Sequence, residues 1–241
     1  MAIKNSIFDV DPDEAQDGGV DDVVARFRTG FQDEAGNPVG LSEFRVTTGD
    51  PDVAAALAEL MGSDEDGVTT WDTKTEENLQ VFTTTSKVDI ILDGPHAVRS
   101  SLVLWGQQAK ILETDGEYLY DDDGNLTDEV WPGATQSLAQ MKEAARKGKG
   151  PKPSLQAYFR LADLPDIGKI RFFAGAWTAI DNFSKAEAKL AEIDGPAVGT
   201  LELERVEFTA KNGDEVRYTK PKLTITGPAP DDGPFADGEA S

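Results

Sequence analysis

The residues best suited to chemistry are few and far apart in this sequence. His96, in "DGPHAVRS", is the single histidine, and the chain contains no cysteine that could act with it. A histidine in a Gly-Pro turn is typical of a surface loop, so we expect His96 to be non-catalytic. The lack of cysteine excludes disulfides, zinc-thiolate sites, iron-sulfur clusters and a cysteine nucleophile.

Three short motifs resemble binding loops but lack the required spacing. "DDDGN" has its glycine in the fourth position instead of the sixth, and Pro132 stands where a calcium loop needs glutamate, so a hairpin turn explains it better. "GQQAK" and "RKGKGPKP" lack the spacing of a phosphate loop. We therefore expect no catalytic residue, no metal and no cofactor, and we predict that the protein is not an enzyme.

The stretch "FRLADLPDIGKIRFFAGAW" predicts two antiparallel strands, residues 155–162 and 169–176, around a loop at 163–168. Alternation places one set of side chains on the core and the other on the opposite face. We expect the apolar pairs Phe159 with Phe172 and Leu161 with Ile170, and the opposite pairs Tyr158 with Phe173 and Arg160 with Arg171.

Directly opposed arginines repel each other unless an anion lies over them, and Tyr, Phe and Arg are enriched at interface hot spots. We therefore predict that Tyr158, Arg160, Arg171 and Phe173 bind a partner. One alternative stays open: Glu202, Glu204 or Glu207 of the last predicted hairpin could neutralise the arginines within the fold.

The clearest helix is "GDPDVAAALAELMG". Asp50 is a suitable N-cap, Pro51 suits the first helical position, and Gly62 could end the helix in the left-handed conformation. The spacing predicts one buried stripe, formed by Val53, Ala56, Leu57 and Leu60. Two further helices are predicted, one opening at Thr135 in "TQSLAQMKEAARKGKG" and one over "NFSKAEAKLAEI".

Most other segments predict strands. They are "VARFRTG", "LSEFRVTTG", "LQVFTTT", "KVDIILDG", "SLVLWGQQAKIL", the hairpin "EYLYDDDGNLTDEV", and a last hairpin whose strands "LELERVEFTA" and "VRYTKPKLTIT" flank Asn212-Gly213. The fold class is α+β, a mostly antiparallel sheet with a few segregated helices. We expect a flexible acidic segment at 1–22, a single domain at 23–226 and a disordered acidic tail at 227–241.

Charge is unevenly distributed along the 241 residues, whose formal net charge is -22. Residues 136–185 carry nine bases and four acids, whereas the rest of the chain is acidic. This basic island either pairs with the acidic remainder or docks on something negative. We add four of its residues to the predicted partner-binding set: Arg146, Lys147, Lys149 and Lys152.

Several stretches together resemble a known family: "KNSIFDVD", "RFRTG", "FRVTTGDPDVAAALAELMG", "ENLQVFT", "DIILDGPHAVRSSLVLWG" and "FRLADLPDIGKIRFFAGAW". They are similar to the recombination directionality factors of actinobacterial phages, which partner large serine integrases. The likeness covers about residues 4–177. Some relatives carry cysteines between the Trp-Gly and Arg-Leu-Ala-Asp stretches, and this chain has none.

The resemblance implies a non-enzymatic control protein that binds a large serine integrase on its attachment-site DNA and switches it from integration to excision. It would have no strong DNA binding of its own. We expect a soluble protein in the bacterial host cytoplasm, because no apolar run approaches the roughly 20 residues that span a bilayer. The alternatives are a single-stranded-DNA-binding or replication-accessory phage protein and, third, a metal-dependent enzyme.

Overall fold

A computed structural model describes residues 22–32, 38–63, 67–73, 75–107, 109–209 and 213–230. Strands dominate this part of the chain. They are β1 Val23–Gln32, β2 Pro38–Thr48, β3 Val68–Thr70, β4 Leu79–Phe82, β5 Lys87–Leu92, β6 Val98–Trp105, β7 Lys110–Thr114, β8 Tyr118–Tyr120, β9 Leu126–Val130, β10 Lys152–Leu161, β11 Lys169–Ala174, β12 Ala197–Thr209 and β13 Glu215–Pro228. The helices are α1 Pro51–Met61, α2 Leu138–Arg146 and α3 Ile180–Ile193.

The strands form one branched sheet in the order β3-β4-β2-β1-β11-β10-β6-β7-β8-β9, with β5, β12 and β13 on a side branch. All pairs are antiparallel except β1 with β11. The predicted α+β class with a mostly antiparallel sheet is therefore confirmed for the described residues.

The branch point is β10, which changes partner along its length. Its residues 152–157 pair with β6, whereas Arg160 and Leu161 pair with Ile91 and Ile90 of β5. The backbone amide of the next residue, Ala162, donates to the Asp89 carbonyl at 2.9 Å. This strand therefore joins the two parts of the sheet.

The predicted register of the β10–β11 hairpin is wrong by two residues. Tyr158 pairs with Arg171 and Phe159 with Ile170, so Arg160 does not oppose Arg171. The reason is that β10 leaves β11 after Phe159 to join β5, and the connection contains a 3-10 helix at Pro165–Ile167. A shift of two residues keeps every side chain on its predicted face.

One hydrophobic core lies on the inner face of the sheet. Phe27, Phe44, Phe159 and Phe172 are fully buried there, and the Phe172 ring stacks on Phe183 of α3 with their centroids 6.0 Å apart. The same cluster includes Leu203, Leu223 and Ile225 of the last hairpin. The predicted core positions of Phe159 and Phe172 are confirmed.

Helix α1 begins as predicted but presents a different stripe to the core. The Asp50 carboxylate accepts from the Asp52 and Val53 amides, which is the predicted cap. The buried residues of α1 are Val53, Ala54, Leu57 and Met61, whereas Leu60 is 40% exposed. Gly62 has a φ of -71° and is extended, not left-handed. The helix therefore ends at an extended Gly62, whose amide donates to the Ala58 carbonyl at 2.9 Å.

Helix α2 begins two residues later than the predicted opening at Thr135. Ser137 caps it, and the Gln140 side chain accepts from the Ser137 amide at 2.8 Å. This reciprocal capping box satisfies amides that a helix start leaves without partners, which fixes the first turn at Leu138.

The last two strands form the predicted hairpin, with thirteen residue pairs from Ala197 with Pro228 to Thr209 with Glu215. The predicted Asn212 turn lies outside the described residues, as do most of the acidic segments predicted at 1–22 and 227–241. Gly227 and Pro228 belong to β13.

Candidate docking surface

The outer face of the sheet, opposite the core, carries a row of arginines. Alternation about buried Phe27 and Phe44 turns Arg26, Arg28 and Arg45 outward from β1 and β2. The parallel pairing of β1 with β11 sets Arg26 beside Arg171, and the antiparallel pairing with β2 sets Arg28 beside Arg45. We call Arg26, Arg28, Arg45 and Arg171 the arginine face.

Neighbouring side chains hold the guanidinium groups of the arginine face in defined orientations. The Glu77 carboxylate lies 2.6 Å from Arg26 Nε and 3.6 Å from an Arg28 terminal nitrogen. Arg45 Nε donates to Gln80 Oε1 at 2.7 Å, and its guanidinium lies 4.3 Å from the centroid of the Trp71 ring. These contacts orient the guanidinium groups of Arg26, Arg28 and Arg45.

Three predicted partner-binding residues lie on the same outer face: Arg171, a member of the arginine face, and Tyr158 and Phe173 beside it. Tyr158 and Phe173 are half-buried, and the Tyr158 hydroxyl donates to Gln156 Oε1 at 3.2 Å. Arg171 is only 3% exposed, so it lies beneath the surface instead of forming an outward contact. The two aromatic side chains are therefore the accessible part of the predicted patch.

Arg160, the fourth predicted residue of this hairpin, is neutralised by Asp93. Its Nε and a terminal nitrogen donate to the same Asp93 oxygen at 3.1 and 2.6 Å. Of the last-hairpin carboxylates named in the open alternative, Glu204 pairs with Lys220 and Lys222, whereas Arg160 pairs with Asp93. The reason is that β10 meets β5 before it could meet β12.

The basic segment after α2 leads into this outer face. Arg146, Lys147 and Lys149 are exposed, and both Arg146 and Lys147 pair with Glu143 one turn earlier. Lys152 is exposed at the start of β10, on the same side of the strand as Gln156 and Tyr158. The basic segment therefore continues directly into β10 at Lys152.

A second polar cluster continues the outer face on β6 and β7. Arg99 Nε donates to Glu113 at 2.8 Å, and the Arg99 guanidinium lies 4.1 Å from the centroid of the Tyr120 ring. Burial raises the pKa of Glu113, but the hydrogen bond from Lys110 and the Arg99 charge outweigh it, so the net pKa is lowered. Burial, with the Glu187 charge, raises the pKa of Tyr120 to about 12.

The metal-binding possibility gains nothing from the geometry of the described residues. Within these ranges, no group of three or more His, Asp or Glu side chains is placed to hold a metal ion. Asp121 of "DDDGN" instead accepts from the Asn125 amide at 2.7 Å within the β8–β9 hairpin, as predicted for a turn. In the same described part of the chain, no helix is long and apolar enough to cross a membrane.

Comparison with known families decides the class of protein. A family model described as Gp3-like, recombination directionality factor-like, matches residues 24–226. The chain belongs to the Gp3-like recombination directionality factor-like family. The match runs from β1 into the end of β13 and so includes α3 and the last hairpin, beyond the stretches that carried the resemblance. No solved structure matches the chain.

Membership in the Gp3-like family supports a recombination directionality factor-like phage protein that acts in DNA recombination, and it implies recombination partner proteins. A protein that acts with partner proteins needs a surface on which they dock. Sequence reasoning did not single out Arg26, Arg28 and Arg45, which the fold places on the same outer face as Arg171. The signal was present in "ARFR" and "EFRV", where arginines alternate with phenylalanine, but their proximity to Arg171 depends on a parallel pairing that no local pattern indicates.

Proposed function

We propose that this protein is a recombination directionality factor that binds a large serine integrase on its attachment-site DNA and switches it from integration to excision. The observation that carries the proposal is the family match over residues 24–226. In this proposal the protein is not an enzyme, it needs no cofactor, and it acts in the cytoplasm of the bacterial host.

The proposed switch is a shift between two arrangements of the integrase. A ligand changes such an equilibrium only by its difference in affinity for the two states. Moving the ratio from 1:99 to 99:1 takes about 5.5 kcal/mol of that difference, or roughly 10⁴-fold in affinity. About three interface hot spots of roughly 2 kcal/mol each could supply it, so one modest patch is sufficient.

The half-buried aromatic pair, Tyr158 and Phe173, supports a docking role for the outer face. Each ring already has part of its surface covered, which fixes its orientation, and the remaining part is available to a partner. The exposed basic residues Arg146, Lys147, Lys149 and Lys152 add long-range attraction toward an acidic surface. In the proposal these residues contact the integrase.

The direct test mixes the purified protein with the integrase from the same genome and follows recombination of parental and of hybrid attachment sites. We expect the protein to start hybrid-site recombination and to suppress parental-site recombination as its concentration rises. Both effects should persist in EDTA and without nucleotide, because the proposal includes no metal or nucleotide step.

A matched pair of variants locates the surface. Tyr158→Ala with Phe173→Ala should shift the effective concentration of the factor upward, whereas Lys185→Ala, which alters an exposed side chain on α3, should not. If saturating protein leaves both reactions unchanged with an integrase proved active, the proposal is wrong. Tight binding of single-stranded oligonucleotides at about 150 mM salt would favour the replication-accessory alternative instead.

A further inference from the structure

The last hairpin extends beyond the rest of the sheet as a two-stranded arm. In the described part of the chain, β12 pairs with β5 only as far as Glu202, and the Leu203 amide donates to the Ser86 carbonyl at 2.7 Å. Beyond this point the strand pairing of β12 is with β13 alone, over residues 204–209 and 215–220. We call these two stretches the arm. Because an isolated two-stranded hairpin is at best marginally stable in water, a further contact would stabilise the arm.

The apolar side chains of β12 change face where the arm begins. Where β12 joins the sheet, its odd-numbered positions are buried in the core. In the arm, the odd-numbered positions carry Arg205 and Glu207, and Val206 and Phe208 lie on the opposite face. Phe208 is 50% exposed, and Tyr218, which pairs with Val206, is 38% exposed. The arm therefore presents an apolar face outside the core.

The β12 edge of the arm can accept another strand. The Leu203 amide points toward β5, and backbone groups alternate in direction along a strand, so those of Arg205 and Glu207 point to the same side. Since β5 begins at Lys87, its pairing with β12 does not reach them. The β13 edge is less suitable, because Pro221 has no amide hydrogen to donate.

The charges along the β12 edge favour a second copy of the same chain. Like charges at alternate positions repel an identical strand, which is how many edge strands are protected. Arg205 and Glu207 instead have opposite charges, and Arg205 Nε lies 2.5 Å from a Glu207 carboxylate oxygen. If two identical strands pair antiparallel with Val206 at the centre, Arg205 of each copy faces Glu207 of the other. A centre at Arg205 or at Glu207 would oppose like charges.

The same centre also joins the apolar faces of the two arms. Val206 then meets Val206 of the other copy, and because Tyr218 lies beside Val206, one apolar row crosses four strands. Residues 204–220 contain four acids and four bases, whereas the whole chain has a net charge of -22. Two copies therefore repel each other least where the arms meet.

We propose that two copies of this chain pair antiparallel through the β12 edges of their arms, with Val206 at the two-fold axis. The pairing spans residues 204–208 of each copy, because the Leu203 amide already bonds Ser86. The contact is self-complementary, as a two-fold interface requires. It is also small, and interfaces below about 1,200 Å² are typically weak. The dimer therefore forms at high protein concentration.

Disulfide formation tests the position of the axis, because the native chain contains no cysteine. Val206→Cys places two thiols across the axis, where Cα atoms of a non-hydrogen-bonded pair lie about 4.5 Å apart, within the roughly 4.4 to 6.8 Å of a disulfide. Phe208→Cys is the control, since position 208 is more exposed but lies roughly 13 Å from its copy along the strands. We expect mild oxidation to crosslink Val206→Cys and to leave Phe208→Cys monomeric on non-reducing electrophoresis.

Charge exchange tests the register. Arg205→Glu and Glu207→Arg each oppose like charges in both cross-strand pairs, so each should raise the dissociation constant of the dimer about tenfold or more. An equimolar mixture of the two variants should restore dimerisation, because each introduced charge then faces an opposite one. Lys185→Glu makes the same charge change on exposed α3 and should have no effect. Sedimentation velocity at increasing protein concentration measures the dissociation constants, and circular dichroism checks that each variant is folded.

Three outcomes overturn the proposal. The first is a sedimenting mass that stays at 25.9 kDa at every concentration. The second is crosslinking of Phe208→Cys as fast as that of Val206→Cys, which would show collision between exposed thiols instead of a fixed register. The third is a mixture of the two charge variants that stays monomeric while the native chain dimerises. Since no integrase or DNA is present, failure here leaves the proposed integrase switch untouched.

Discussion

Tyr158 and Phe159 are neighbours in sequence with opposite environments. Phe159 is fully buried and its ring meets Phe27 edge-on, with the centroids 5.6 Å apart. Tyr158 is half-buried on the outer face. Because successive side chains of a strand point to opposite faces, the pair separates packing from docking within two residues.

We predict that Phe159→Ala lowers the free energy of unfolding by about 3 to 5 kcal/mol, because it leaves a cavity in the core. Phe172→Ala should do the same. Tyr158→Ala and Phe173→Ala should change stability much less and weaken integrase binding by about 1 to 3 kcal/mol. Urea unfolding and calorimetric titration of the integrase–DNA complex measure the two quantities. If all four variants lose stability, both faces of the hairpin are buried, and the docking surface must instead lie at residues 146–152.

Glu187 of α3 is a partly buried carboxylate that supports the sheet. It accepts a hydrogen bond from the Ser100 amide of β6 at 3.0 Å. Burial raises the pKa of Glu187, and the Ser100 bond and the Arg99 charge only partly offset this. Since the folded-state pKa exceeds the unfolded one, the group's contribution to stability is fully present below the unfolded value of about 4.3 and is lost as pH rises through the folded-state pKa.

Glu187→Gln should therefore stabilise the protein at pH 7, because glutamine accepts the same Ser100 bond without an ionised state. The gain should vanish near pH 3.5, where the carboxyl is protonated in both states. Thermal melts of the variant and the native protein across this pH range check the expectation. Glu192→Gln, an exposed position on the same helix, is the control and should show no such gain. A gain that persists at low pH would contradict the assignment.

Side chains of α3 form hydrogen bonds with the backbone of β13, which pairs with β12 alone in the described sheet. The Asn182 amide group accepts from the Leu223 amide at 2.7 Å and donates to the Leu223 carbonyl at 3.0 Å, as a neighbouring strand would. Lys189 Nζ donates to the Ile225 carbonyl at 2.7 Å. These bonds satisfy strand groups that would otherwise be open to pairing with another chain.

We predict that Asn182→Leu destabilises the last hairpin, because it leaves both polar groups of Leu223 without these partners. The expected loss is about 2 to 6 kcal/mol, at roughly 1 to 3 kcal/mol for each of the two unsatisfied groups. Amide exchange of Leu223 should accelerate together with the fall in stability. The α3 surface variant Lys185→Ala should leave both unchanged. An unaffected Leu223 amide in Asn182→Leu would show that the helix does not hold the strand.

The whole molecule carries a net charge of -22, and this governs its behaviour toward DNA. Phosphates are repelled at long range, while the basic segment at 146–152 attracts them only within about 8 Å at 0.15 M ionic strength. We predict weak, sequence-independent binding to duplex DNA, so that mobility shifts at that salt concentration require the integrase. A sequence-specific complex of this protein alone would overturn its assignment as a protein-directed factor.

Features that depend on nearby residues can be read from the sequence. The period of two placed Phe159 and Phe172 in the core, and the Asp50 cap fixed the start of α1. The absence of cysteine from the sequence excludes disulfides and cysteine-based sites. Each of these follows from side-chain direction or capping within a few residues, which a linear pattern records.

Tertiary structure alone decided which segments became neighbours. The parallel pairing of β1 with β11 brings Arg26 beside Arg171 across almost 150 residues of chain, and the transfer of β10 to β5 shifts the hairpin register and gives Arg160 to Asp93. A strand's alternation defines its two faces but not the strand that lies beside it. That choice is made by burial of the whole core at once, so the arginine face has no counterpart in any single stretch of the sequence.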